Sequence, residues 1–226
     1  MTEKRRLVAD FHMHTIYSKD GMNDFQSFFR MAKEHGINVL GITDHNTVEG
    51  ARHMKKIAPS DMLVLLGQET LTASGEIIVY SVEETIPKKR DLLETCKLVK
   101  EKGGFIIVPH PFDGFRNGIG EKMLGILHYI DAIEVINSRS FRETANKKAK
   151  EFAEKYNIPM VAGSDCHTPK EIGAAKNILM ADLDEKSVLE AVKTGTIIID
   201  AKRTGMGPHL STLKLSIKKK LRLKKI

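Results

Sequence analysis

Residues 7–21 read LVADFHMHTIYSKDG. The apolar run from Leu7 to Phe11 passes directly into His12 and His14, one residue apart, and Asp20 follows six positions after His14. A strand over about residues 7–13 sets both imidazoles on one side, because successive side chains alternate faces. Two histidines closing an apolar strand are either a matter of packing or the first wall of a site, and the rest of the chain decides which.

The same ending recurs. LGITDH closes on Asp44 and His45, VLLGQE on Glu69, FIIVPHP on His110, AIEVIN on Glu134 and Asn137, and MVAGSDCH on Asp165 and His167. Alternation places Asp165 and His167 together and turns Cys166 the other way. Strands are expected at about 7–13, 38–43, 62–68, 76–82, 104–109, 132–137, 159–164, 177–181 and 196–200. Helical patterns lie between most of them, among them 24–34, 89–100, 141–156 and 184–193; in RDLLETCKLVK the apolar positions Leu92, Leu93, Cys96 and Val99 share a face. Runs such as GFIIVPH and IPMVAGSD are apolar on both faces, as buried parallel strands are. Repeated β-α units of this kind give an α/β barrel or a doubly wound sheet. In either fold the carboxyl ends of the strands are where sites form, so six strands bring imidazoles and carboxylates to one mouth.

A single histidine near a strand end is ordinarily a hydrogen-bonded structural residue, and an isolated acid there is often a helix N-cap, a role that Asp44 before NTVEG fits as well as a place beside a metal. Five histidines and three carboxylates at corresponding ends of separate strands are another matter. Burying that many polar and charged groups without a metal costs far more than their mutual hydrogen bonds recover. Imidazole and carboxylate together suit Zn, Fe or Mn.

The chain has 226 residues, 41% hydrophobic and 29% charged, enough for a sizeable core in one domain. No apolar run approaches the ~18 residues of a membrane helix, the amino terminus has no signal-peptide pattern, and Cys96 and Cys166 cannot form a disulfide framework. A soluble, cytoplasmic protein is expected. The net charge of +7 is confined to the end: KLSIKKKLRLKKI, from Lys214 on, holds seven basic residues and no acid. We therefore divide the chain into a domain over 1–207 and a basic helix or tail over 208–226, in which Leu210, Leu213, Ile217 and Leu221 make a helical stripe. Clustered Lys and Arg attract polyanions, so nucleic acid or an anionic membrane is a second reading of the tail, although no aromatic residue follows Tyr156 to stack on single strands.

HMH, the downstream Asp20, TDHNT, GQE, PHP and GSDCH occur in the order of the PHP family, named for polymerases and histidinol phosphatases, and the chain resembles that family over residues 7 to about 200. The resemblance implies a distorted (β/α)7 TIM-like barrel carrying two or three divalent metal ions (Zn, Mn or Fe). It implies that His12, His14, Glu69 and Asp165 hold one ion, that Glu69 bridges to a second also bound by His110, and that Asp20, His45 and His167 hold a third. A further family ligand lies near the strand at 132–137, where His128, Glu134 and Asn137 are the candidates. Some family members also have a histidine a few residues past the GQE glutamate; this chain has Ile77 and Ile78 in that stretch.

Such a centre hydrolyses phosphate esters without a Ser or Cys nucleophile. Asp20 or His167 is expected to protonate the leaving group, with Arg139 and Arg116 on the phosphate; a loop arginine such as Arg116 is ordinarily solvated. The expected activity is hydrolysis of a small phosphomonoester or nucleotide. A nuclease using the basic tail, or a non-catalytic metal-stabilised binding protein, is the alternative.

Overall fold

The computed structural model describes residues 4–204 together with Gly207 and Thr212. The basic tail and its stripe lie outside the described residues, apart from Thr212. One sheet, ordered β7-β6-β5-β4-β3-β2-β1-β8-β9, is built from β1 (Arg5–Met13), β2 (Val39–Ile42), β3 (Leu63–Thr72), β4 (Gly75–Tyr80), β5 (Phe105–Val108), β6 (Ala132–Asn137), β7 (Met160–Gly163), β8 (Ala175–Ala181) and β9 (Ile198–Ala201). Around it pack α1 (Phe25–Glu34), α2 (Glu49–Ile57), α3 (Leu92–Glu101), α4 (Glu143–Tyr156) and α5 (Glu185–Lys193), with a 3₁₀ segment over Gly120–Tyr129 that the periodicity had not indicated. Asp24, Asp91 and Asp184 cap α1, α3 and α5 by accepting from the backbone of Ser27, Glu94 and Ser187. The cap at Asp91 starts α3 at Leu92, the first residue of its apolar face, rather than at the expected residue 89.

Parallel pairing joins β1 to β2, β2 to β3, β5 to β6 and β6 to β7. β4 departs from the expected parallel repeat, running antiparallel to both β3 and β5. Its cause is local: only Ala73 and Ser74 separate β3 from β4, too few for the crossover that a parallel pair requires. β8 and β9 continue the sheet antiparallel beyond β1.

The barrel closes where β7 returns to β1. Asp165 N–H donates to His12 O (2.7 Å), His14 N–H to Cys166 O (3.0 Å) and Ser164 N–H to Asp10 Oδ1 (3.0 Å). Lower down, β8 occupies the edge of β1, and a side chain spans the remaining gap. Asn177 Oδ1 accepts from Ala162 N–H (2.8 Å), while its Nδ2 donates to Ala162 O (2.8 Å) and Ala9 O (3.1 Å). This amide substitutes for strand backbone at the seam. Asn177→Ala should leave a buried N–H and two buried carbonyls without these bonds, at about 2–4 kcal/mol, and lower Tm by roughly 4–16 °C. Thermal melts check this; an unchanged Tm would mean that the seam closes without the amide. The distorted α/β barrel is thus borne out, nearly closed over β1 to β7.

Alternation sorts side chains by height. Inward columns run Leu65–Gly67–Glu69 on β3, Ala132–Glu134 on β6 and Val161–Gly163–Asp165 from β7, apolar below and acidic above. The lower layer, with Leu7, Ala9, Phe11, Val39, Ile78 and Tyr80, is closed from beneath by Val188, Leu189 and Val192 of α5. Tyr80 fills the centre and donates to Phe11 O at 2.6 Å. β1 shifts register between Asp10 and Met13. Met13 then packs outside with Phe28 and Cys166, and His12 and His14 turn to the mouth.

Candidate metal centre

The mouth gathers His12, His14, Asp20, His45, Glu69, His110, Asp165 and His167, from every inward column that ends there. His12 Nε2 lies 3.1 Å from His14 Nε2 and 3.5 Å from Glu69 Oε1. Glu69 reaches His110 Nε2 (3.0 Å) through Oε1 and His45 Nδ1 (2.8 Å) through Oε2. Asp165 Oδ1 stands 3.3 Å from His14 Nε2, and Asp20 Oδ1 stands 3.5 Å from both His45 Nε2 and His167 Nε2. Four overlapping triplets have ligand atoms mutually within 4.8 Å: His14, His45 and His167; His12, His14 and Glu69; His12, His110 and Asp165; and His45, Glu69 and Glu76.

Hydrogen bonds around the mouth show which ring nitrogens are free. Ser18 Oγ donates to Asp44 Oδ1 (2.6 Å), so it accepts from His14 Nδ1 (3.2 Å) and from His45 N–H (3.1 Å). His12 Nδ1 donates to Glu134 Oε1 (3.0 Å), and His167 Nδ1 to Asp165 O (2.8 Å). By this assignment His12, His14 and His167 all turn Nε2 inward, free for a metal ion or, in the metal-free protein, a second proton. The Nε2 atoms of His12 and His14, 3.1 Å apart, repel each other unless a cation or proton lies between them. The residues therefore fit a cluster of divalent ions.

The open candidates separate by position. Asp44 does not cap α2; it accepts from Thr15 N–H (2.8 Å) and Thr15 Oγ1 (2.7 Å) as well as Ser18, and so holds the loop that orients His14. Glu134 takes His110 N–H (2.7 Å) and Asn137 Nδ2 (3.0 Å) on Oε2, and Asn137 Nδ2 also reaches Asp165 Oδ2 (3.2 Å). His128 is exposed on the 3₁₀ segment and is not among the converging residues. Arg116 turns inward and pairs with Asp165, against the solvated position expected of a loop arginine. Arg139 is buried, with Nε 3.0 Å from Glu171 Oε1 and Nη2 donating to Thr212 Oγ1 (3.0 Å). Both arginines line a cavity of about 570 Å³ at the mouth, together with Asp20, His45, Glu69, His110 and His167. Cys166 is fully buried on the outer face, where burial pushes its thiol well up.

Several residues here escaped the sequence. Tyr17, Phe115 and Phe141 form an aromatic side of the cavity. Asp10, raised by burial to about 7, lies below and accepts from Ser164 and His12 N–H. Glu76 projects from the start of β4, and burial together with the charge of Glu69 raises it to about 7. His110 (φ 30°) and Asp165 (φ 52°) hold left-handed backbone, which costs on the order of 1–3 kcal/mol each and is common at functional sites.

Burial disfavours charged imidazole, yet three rings titrate above their ordinary range. Asp165, Glu134 and Glu69 outweigh burial at His12, Glu69 and Asp20 do so at His45, and Glu69 does so at His110. His14 and His167 are lowered by burial and by the neighbouring His45 and His14 respectively. A raised imidazole stabilises the metal-free fold fully below about pH 6.5 and loses that contribution as pH climbs through the folded value. Metal-free protein should therefore lose Tm above about pH 6.5. Affinity for Mn²⁺ should rise over the same range, since the ion displaces those protons. Melts in chelator and Mn²⁺ titrations at several pH values test both; affinity independent of pH would remove these imidazoles from the ligand set.

A family model described as PHP-associated matches residues 143–197. Two uncharacterized proteins of Methanocaldococcus jannaschii are each 35% identical to the chain. MJ1587 aligns over 143 residues, 58% of this chain and 82% of its own, and MJ0417 over 176 residues, 75% and 69%. Among solved structures, PsfC of Pseudomonas syringae superposes with a TM-score of 0.66 at 17% identity, over 96% of this chain and 99% of its own. The lesion-specific endonuclease PfuEndoQ of Pyrococcus furiosus gives 0.61 at 17%, over 86% and 58%. A Bifidobacterium adolescentis protein proposed to be a metal-dependent phosphoesterase gives 0.57 at 15%, over 71% and 88%.

Proposed function

The chain belongs to the PHP-domain family, and from that membership we propose that it is a metal-dependent hydrolase of phosphate esters, acting on a small phosphomonoester or nucleotide. One observation carries the reading: four overlapping sets of imidazole and carboxylate atoms, each within 4.8 Å, share His45, Glu69, Glu76, His110 and His167 with the lining of a cavity that also presents two guanidinium groups. A cluster of divalent ions (two or three of Zn, Mn or Fe), once bound there, would supply hydroxide near neutral pH and offset the charge of a phosphoryl group under in-line attack.

The protein groups divide the remaining work. His12, His14, Glu69 and Asp165 would hold one ion, Glu69 with His110 a second, and Asp20, His45 and His167 a third. Glu134, Asn137 and Asp44 fix the orientation of those ligands. Arg139, tied to Glu171, and Arg116, drawn inward by Asp165, offer planar donors to phosphate oxygens. Asp20 or His167, whichever is less engaged by metal, would take the proton shed by the attacking water and pass it to the leaving oxygen, since the inward Nε2 of His167 rests unprotonated. A cavity of about 570 Å³ suits a small ligand, and Phe115 and Phe141, edge to face at 6.0 Å, give an aromatic wall for a nucleobase. The proposed location is the cytoplasm; no helix among the described residues is long and apolar enough to cross a membrane. Contact with nucleic acid through the basic tail is the second reading, favoured by the cationic and aromatic rim of the mouth.

Metal analysis of protein purified without chelator, followed by phosphate release from a panel of phosphate esters with Mn, Fe or Zn added, tests the proposal. Absence of both bound metal and turnover would sink it. Cleavage of oligonucleotides that weakens when the chain is cut after Gly207, without loss on mononucleotides, would favour the second reading.

A further inference from the structure

We propose that Glu76 is a metal ligand of this chain, joining Glu69 and His45 around the divalent cation that His45 would hold on the β4 side of the mouth. The inference rests on the reading of the mouth as a metal centre and adds a position to those the family resemblance implies.

The backbone brings Glu76 there. β4 runs opposite to its neighbours, so its start, Gly75 and Glu76, rather than its end reaches the mouth. In the β3–β4 pairing Glu69 lies opposite Ile78. Glu76 is two residues from Ile78 on the same face and therefore stands diagonally beside Glu69, within reach of a long side chain. Its own N–H is fixed to Asn117 O at 2.9 Å. Ligand atoms of Glu76, Glu69 and His45 lie mutually within 4.8 Å, a span that one ion can bridge.

Charge supplies the second argument. Glu76 is 7% exposed and makes no ion pair among the described residues. It stands beside another buried carboxylate, Glu69, whose ligand atom lies within 4.8 Å of its own. The guanidinium of Arg116 is engaged by Asp165, and that of Arg139 by Glu171. Two buried carboxyl groups side by side are relieved by a shared proton or by a cation between them, and a divalent ion with two oxygen ligands and one imidazole nitrogen fits the three ligand atoms present.

Full-length wild type, Glu76→Gln and Glu76→Asp should be titrated with Mn²⁺ against a competing chelator, with ions per chain counted after equilibrium dialysis. Glu76→Gln keeps the size and relieves the repulsion by Glu69, so its Tm in chelator should equal or exceed that of wild type. It should nevertheless hold one ion fewer, or hold one ion at least about tenfold more weakly, while Glu76→Asp keeps part of that affinity. A full complement at wild-type affinity in Glu76→Gln would overturn the inference and leave Glu76 sharing a proton with Glu69. Wild type without any bound ion would instead overturn the metal-centre reading beneath it.

Discussion

Glu69→Gln should strip more than one divalent ion from each chain and lower phosphate-ester turnover by ~1000-fold or more. The two carboxylate oxygens of Glu69 face different partners, Oε1 toward His12 and His110 and Oε2 toward His14 and His45. An ion on either side would share the same negative charge. Burial pushes the Glu69 carboxyl up, but His12, His45 and the bond from His110 hold it well below the ordinary range, so it is available as an anion. The amide keeps the volume and one acceptor, yet removes the charge from both sides and presents an N–H₂ group to imidazole nitrogens. His45→Ala gives the contrast. It removes one ring from the Asp20 side and should release at most one ion while His12, His14, His110 and Asp165 remain. Counting ions per chain and measuring phosphate release for both variants decides the matter. Equal, small losses would show that Glu69 bridges nothing, and a Glu69→Gln protein with full metal content would reduce it to a packing residue.

The proposed ligands were legible in the sequence because they come from strands whose direction was legible. His12, His14, Glu69, His110 and Asp165 each follow an apolar run that ends in a polar residue, and in a parallel strand that end is the mouth. Glu76 breaks the rule. In GEIIVY it precedes the apolar run, which on a parallel strand would place it at the closed end. The reversal signal was the gap of seven residues between the expected strands at 62–68 and 76–82, too short for a parallel crossover, which the structure narrows to Ala73 and Ser74. Reading that gap as a reversal would have delivered Glu76 to the site. Ile78 shows the other side of the same strand: it faces inward too, but one layer lower, and fills the barrel floor with Tyr80.

Orientation by neighbours was far less legible. Asp44 reads as a helix cap in TDHNT, whereas its partners Thr15 and Ser18 lie 29 and 26 residues away in sequence. Glu134 and His128 were equal candidates by spacing; what separates them is the 3₁₀ segment that carries His128 outward and the alternation that brings Glu134 beneath His12. Arg116 is drawn inward by Asp165, a contact between residues 49 apart. Asn177, in an otherwise unremarkable strand, closes the seam only because β8 takes the place that β7 leaves on β1. Local patterns fix element type and facing. Pairing across the barrel is set by the closure itself, and a single chain of letters does not contain that geometry in local form.

Gly163→Ala should cost about 3–5 kcal/mol and unseat two metal ligands at once. A Cβ at this position would stand 1.9 Å from Glu134 Oε1 and 2.5 Å from the Cβ of His12. His12 Cβ is anchored to β1, whose carbonyl receives Asp165 N–H at 2.7 Å, so it cannot retreat. Glu134 would have to swing away, and it holds His12 Nδ1, His110 N–H and Asn137 Nδ2. Overpacking of this kind costs about 1–3 kcal/mol, and losing a charged acceptor from buried donors adds about 1.5–3. At roughly 2–4 °C per kcal/mol for a chain of this size, Tm in chelator should fall by about 6–20 °C. With His12 and His110 no longer oriented, Mn²⁺ affinity should drop by about 10–100-fold even in the protein that remains folded. Gly125→Ala is the matched control: no atom lies within 4 Å of the position its Cβ would take. Melting temperature and Mn²⁺ affinity measured side by side for the two variants separate close packing at the β6–β7 seam from a general cost of replacing glycine. Equal behaviour of the two would show that Glu134 and His12 do not depend on the space Gly163 leaves them.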